Sequence, residues 1–142
     1  MSKLPSLEYV AGFFDGEGSI YIERPKNYYV LSVTITNQNW RLLDSIREQF
    51  GGSISTQRAG VAGRNHDCYT LFMRSKIGLA FLEAVYPFLR VKSKQAWVAI
   101  CFETRKSRLR FSGRHCLTDA EIERRKAARE IIRKMNRTVR PH

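Results

Sequence analysis

Leu7, Val10, Ala11, Phe13 and Phe14 recur at helical spacing behind Ser6, which predicts a short, Ser-capped helix ended by Gly16 and Gly18. At Ser19 the period changes to two. Ile20 and Ile22 point one way and Ser19, Tyr21 and Glu23 the other. After a Pro25-Lys26-Asn27 turn, a second strand runs to about Thr36, with Leu31, Val33 and Ile35 inward and Ser32, Thr34 and Thr36 outward. Asn37 or Asn39 then caps a helix whose Trp40, Leu43, Ile46 and Phe50 form a stripe before Gly51-Gly52, so Trp40 is expected in the core. A second hairpin follows over residues 53–58 and 67–74, where Tyr69, Leu71 and Met73 alternate.

Three more helices are expected. One opens at Ser75, carries Leu79, Phe81, Leu82 and Val85, and stops at Pro87. Another runs from Ser93 through Trp97, Val98, Ile100 and Cys101, and the last goes from a Thr118-x-x-Glu121 capping box to about Met135. The order α-β-β-α-β-β-α, with added C-terminal helices, is an α+β layout with helices on one face of an antiparallel sheet. The other face, rich in Ser, Thr, Gln and Tyr, stays open. With 142 residues and 43% hydrophobic content, one core is expected over about residues 6–103, followed by a basic extension over about 104–142.

Charge narrows the partners. Twenty-five Lys and Arg against 13 Asp and Glu give +12, a self-repulsion that a polyanion relieves, and nucleic acid is the first to consider. An anionic membrane is the rival. No apolar run approaches a bilayer span and the N-terminus lacks a signal-peptide pattern, so a soluble intracellular protein that uses no membrane is expected. Cys68, Cys101 and Cys116 are odd in number and form no C-x-x-C pair, which supports neither a disulfide frame nor a zinc site.

Against this background the acids Asp15 and Glu17, each followed by glycine, stand out. An Asp-Gly pair alone is a turn former. At a helix C-terminus, however, two carboxylates add to the negative end of the dipole and call for a cation. Carboxylate and carbonyl oxygens suit a hard divalent ion. An EF-hand loop begun at Asp15 would put Ile20 at its sixth position and Lys26 at its twelfth, so magnesium, which needs few protein ligands, fits better.

The stretch YVAGFFDGEGSI resembles the signature motif of the LAGLIDADG homing endonucleases over Val10 to Gly18, and TNQN and FLRVKSKQA extend the resemblance across roughly residues 7–102. The helix LTDAEIERRKAAREIIRKMN is looser support. The resemblance implies a saddle-like sheet and a magnesium-dependent DNA endonuclease of the kind encoded in mobile introns. It implies that Glu17, where the usual residue is Asp, binds the catalytic metal with help from the Gly16 carbonyl, while Asp15 stabilises the turn. Mg2+ is the expected ion, with Mn2+ a possible substitute and Ca2+ able to bind without supporting cleavage. Lys92 matches the family's basic residue near the phosphate, and Asn37 corresponds to a solvent-positioning polar residue, with Gln38 and Asn39 as alternatives in the alignment.

Only one such motif occurs, so cutting both strands calls for a homodimer and a palindromic or near-palindromic site. The small pair Ala11-Gly12 lets two such helices approach, and Val10, Ala11, Gly12 and Phe14 are the expected dimer interface. The open face suits the major groove of double-stranded DNA. Alternation nominates Tyr21, Glu23, Tyr28, Ser32, Thr34, Ser55, Gln57 and Thr70 as DNA contacts, with Arg24, Lys26, Arg58 and Arg64 reading guanine or holding phosphate. The same fold admits an RNA-binding maturase acting on intron RNA, or a DNA-binding regulator without chemistry.

Overall fold

Ser6 Oγ accepts the Tyr9 N–H at 3.2 Å, and the helix it starts, α1 (Leu7–Glu17), runs through Gly16 to its C-cap at Gly18. Gly16 is therefore inside the helix and does not end it. The structure, a computed structural model, describes residues 4–26, 28–58, 60, 66–110 and 118–137. After α1 come β1 (Gly18–Glu23), β2 (Val30–Asn37), α2 (Trp40–Phe50), β3 (Ser53–Gln57), β4 (Cys68–Arg74), α3 (Lys76–Val85), a 3-10 turn (Tyr86–Phe88), α4 (Ser93–Arg110) and α5 (Asp119–Asn136).

The strands form one antiparallel sheet in the order β1-β2-β4-β3, and the register pairs Ile20 with Val33 and Val33 with Met73. Alternate residues within each strand thus share a face, and each pair across the ladder lies on the same side. Ile20, Ile22, Leu31, Val33, Ile35, Leu71 and Met73 are buried beneath the helices. Phe14 of α1, Phe50 of α2 and Phe81 of α3 join edge to face, with both ring-centroid distances 5.1 Å. Trp40, expected inside, is 45% exposed because it is the first residue of α2 and lies a turn ahead of the buried Leu43.

Helix α4 extends to Arg110, well past the apolar stretch that announced it. Its second half buries polar side chains, Glu103 and Lys106, which no hydrophobic pattern marks. There it meets α5, where the Thr118 Oγ1 cap accepts the Glu121 N–H at 3.1 Å. The Glu121 carboxylate receives Arg105 Nε at 2.9 Å and Arg125 Nε at 3.2 Å.

Burial by itself pushes the Glu121 carboxyl up, but hydrogen bonds from Arg105 and Arg125 and the charges of those guanidinium groups hold it below the ordinary carboxylate range. A depressed folded pKa adds stability that is fully present above the unfolded value of about 4.3 and is lost as pH falls through the folded value. Glu121→Ala leaves Arg125 buried without its partner, and about 3 kcal/mol of unfolding free energy is expected to go. Denaturant melts checked from pH 7 downward should show Glu121→Gln losing less stability between neutral and acid pH than wild type.

Helix α5 also closes the outer edge of β1. Arg129 Nε donates to the Ile22 carbonyl at 3.1 Å and Asn136 Nδ2 to the Ile20 carbonyl at 2.8 Å, covering an edge open to strand addition. Among the described residues, no helix is long and apolar enough to cross a membrane. Cys68 is half-buried and Cys101 exposed, both as free thiols.

Candidate active site and open sheet face

At the end of α1, Asp15 and Glu17 have different surroundings. The Asp15 carboxylate accepts three successive backbone N–H groups, from Arg90 at 2.8 Å, Val91 at 3.1 Å and Lys92 at 3.0 Å. Consecutive amides of this kind form an anion-binding concavity. Lys92 Nζ returns the contact by donating to the Asp15 carbonyl at 2.7 Å. The ammonium thus sits at the negative end of the helix dipole, which compensates part of the charge that makes the junction unfavourable.

This clip joins residues more than seventy positions apart and leads directly into α4. Asp15→Ala strips the acceptor from all three amides. A loss of about 2 kcal/mol in unfolding free energy is expected, read by denaturant melts, with Asp15→Asn recovering part of it through its remaining oxygen.

Glu17, the last residue of α1, is exposed, and its carboxylate has no hydrogen bond or ion pair among the described residues. Gly16 beside it is also exposed, with nothing beyond its own turn of helix within 4 Å of where a Cβ would lie. Both Asp15 oxygens are already committed to amides, so Glu17 and the Gly16 carbonyl are the donors that the junction offers a cation. Among the described residues, no group of three or more His, Cys, Asp or Glu is arranged to hold a metal. One carboxylate and one carbonyl per chain fit a hard ion such as magnesium, which takes few protein ligands and completes its shell with water or phosphate oxygen.

Gly18 follows, and a Cβ there would lie 2.1 Å from Phe14 Cδ1. A cleft of about 590 Å³ then opens between β1, the Lys92 loop and the end of α5, lined by Ser19, Tyr21, Thr34, Lys92, Gln95 and Asn136 among others. Gln95, in the first turn of α4, went unnoticed in the sequence because nothing about its spacing distinguishes it. Asn37 ends β2 two residues beyond Ile35, the partner of Gly18, and so reaches the same end of the sheet. Its Oδ1 accepts the Asn39 N–H at 2.8 Å, while Asn39 caps α2 through Leu42 N–H at 3.2 Å. The Asn37 carbonyl is therefore occupied within the chain.

The expected helix interface needs correction. Val10, Ala11 and Phe14 are 0% exposed inside the chain's own core, because their stripe faces the sheet and α3. The outward side of α1 consists of Glu8, Tyr9, Gly12 and Gly16, and Gly12 also has open space where a Cβ would be.

On the open sheet face, Ser55 and Gln57 are exposed and Tyr21 and Glu23 are half-buried, while Arg24, Lys26, Tyr28 and Arg58 are exposed in the segments just beyond the strands. Ser32, Thr34 and Thr70 hold the outward parity that alternation assigned, but they are nearly inaccessible at 0%, 8% and 7%. They are short residues on the two central strands, flanked by a neighbouring strand on each side. Ser32 lies between Tyr21 and Arg74, Thr34 between Ser19 and Phe72, and the Thr70 hydroxyl pairs with that of Thr36 at 2.9 Å. Arg64 lies outside the described residues. Phe72 and Arg74 share this face and escaped notice, although the parity of Thr70 would have revealed them.

An open antiparallel sheet backed by helices, with an acid and a lysine joined at one end, defines an α+β protein built to present a broad polar surface beside a compact charged site. The chain belongs to the LAGLIDADG endonuclease family, whose model matches residues 10–94. Its fold is similar to that of I-CvuI, solved with the I-CreI target and Mg with the DNA not cleaved. The TM-score is 0.72 and the identity 15% over 96% of this chain and 85% of that one. The archaeal intron-encoded endonuclease I-Vdi141I, complexed with DNA, matches at TM-score 0.68 and 19% identity over 94% of this chain and 86% of its own. I-SmaMI, bound to uncleaved DNA target with calcium ions, matches at 0.69 and 21%, covering 92% of this chain but 45% of its own. No curated protein matches the chain.

Proposed function

We propose that this chain is a site-specific double-stranded DNA endonuclease that works as a homodimer with a divalent metal, magnesium first. The observation that carries the reading is the clip at the end of α1. It spends Asp15 on structure, positions Lys92 and leaves Glu17 open beside a bare polar sheet face. Glu17 and the Gly16 carbonyl hold the ion, whose chemistry when bound is to activate water and stabilise the departing oxygen. Lys92 stabilises charge developing on the scissile phosphate, and the sheet face lies in the major groove.

One junction per chain calls for a second copy. The I-SmaMI chain, matched over 45% of its length, has room for a second such unit, which supports two copies here. They meet across Gly12 and Gly16, where the absence of side chains lets backbones approach.

The test is incubation with a randomised duplex library, with magnesium or with chelator, beside sedimentation of the protein with and without a selected duplex. Paired cuts at one near-palindromic sequence, only with metal and with two chains per duplex, are expected. Specific binding without metal-dependent cuts points to a regulator, and rescue of intron splicing to a maturase.

A further inference from the structure

The open face carries several arginines, and charge alone does not sort those that read bases from those that hold phosphate. Arg74 is distinguished by its neighbours. It lies in the row Tyr21–Ser32–Arg74, and its Nε stands 3.6 Å from Glu23 Oε2 on the far side of β2. Its guanidinium carbon is 5.0 Å from the centre of the Phe72 ring. The pair spans the short Ser32, whose fully buried Oγ has no hydrogen-bond partner among the described residues.

We infer that Arg74 is a specificity-determining residue that reads guanine in the major groove, oriented by Glu23 and Phe72, an inference that rests on the DNA-endonuclease reading above. A carboxylate beside an arginine repels a phosphate but tolerates an uncharged base edge. At 3.6 Å the pair is an ion pair longer than a hydrogen bond, so the guanidinium fork keeps its donors for guanine O6 and N7. Half of the Arg74 side chain is exposed to meet them, at 52%. The Glu23 carboxylate, 30% exposed, is an acceptor suited to the N4 amino group of the paired cytosine. Arg58, by contrast, is exposed at the end of β3 and has no acidic partner among the described residues, which suits phosphate.

The experiment profiles base preference in the randomised library for wild type, Arg74→Ala, Arg74→Lys, Glu23→Gln and Arg58→Ala, and measures the salt dependence of binding to the best site. Arg74→Ala and Arg74→Lys are expected to lower the preference for guanine at one position of each half-site by roughly tenfold or more, because lysine keeps the charge without the planar fork. The salt slope of Arg74→Lys should match wild type. Glu23→Gln should blunt discrimination at that same position, while Arg58→Ala weakens all sites evenly and reduces the slope by about one. Unchanged guanine preference in both Arg74 variants, with binding weakened evenly, overturns the inference and leaves the endonuclease standing. A wild type that selects no duplex overturns both.

Discussion

Glu17→Gln is expected to lower metal-dependent cutting by about a hundredfold to a thousandfold, the order seen when one preorganised charge-stabilising group is lost. DNA binding and its salt dependence should persist, because the amide keeps the shape of the side chain and the open sheet face is untouched. Stability should hold or rise slightly. A carboxylate at a helix C-terminus opposes the dipole by about 0.3–1 kcal/mol at a surface, and Glu17 makes no hydrogen bond or ion pair among the described residues that would offset this. Loss of activity without loss of stability separates a chemical role from a structural one. Asp15→Ala, by contrast, should lose stability first, since its oxygens hold three backbone amides. The paired measurements are single-turnover cleavage rates and denaturant midpoints. A Glu17→Gln protein that cuts at the wild-type rate would remove Glu17 from the chemistry.

The division of labour between these two acids shows where sequence reasoning reaches and where it stops. Period-two alternation from Ser19 to Thr36 and from Tyr69 to Met73 announced both hairpins, because one buried face leaves its mark on every second residue. The junction was legible as an anomaly of charge. What alternation conveys is the face, and burial on that face depends on neighbours. Ser32 and Thr34 have outward parity, yet they sit beneath Tyr21, Arg74 and Phe72, whose positions follow only from the register.

Contacts distant in sequence were equally hidden. The amides of Arg90 to Lys92 reach Asp15 across more than seventy residues, and no local pattern announces them. The length of α4 was missed for another reason. Its second half buries Glu103 and Lys106 and meets the Glu121 cluster, so its inner face is polar and carries no hydrophobic stripe. The α1 stripe was read correctly as apolar and assigned to the wrong partner. Val10, Ala11 and Phe14 serve the chain's own core, which leaves Glu8, Tyr9, Gly12 and Gly16 as the outward surface.

Gly18→Ala should destabilise the fold by about 3 kcal/mol, at the upper end of what one added methyl costs in a packed core. The backbone there is extended, at φ −91°, so conformational strain is not the cause. The cause is volume: the new Cβ would lie 2.1 Å from Phe14 Cδ1, 2.3 Å from Cε1 and 2.8 Å from Cγ. Having Cγ among the clashing atoms means that the whole ring must shift, and it is fully buried against Phe81, which in turn carries Phe50. Because Gly18 also caps α1 through its N–H to the Phe14 carbonyl, displacement of the ring disturbs the turn that presents Glu17. Phe14→Leu alone should cost about 1–2 kcal/mol by leaving a gap. Combined with Gly18→Ala it should cost less than the sum of the two, with a favourable coupling of at least about 1 kcal/mol, since the smaller side chain vacates the space the methyl needs. Denaturant melts of the four proteins in the cycle measure this. Strict additivity would show that Gly18 is required for something other than the ring of Phe14.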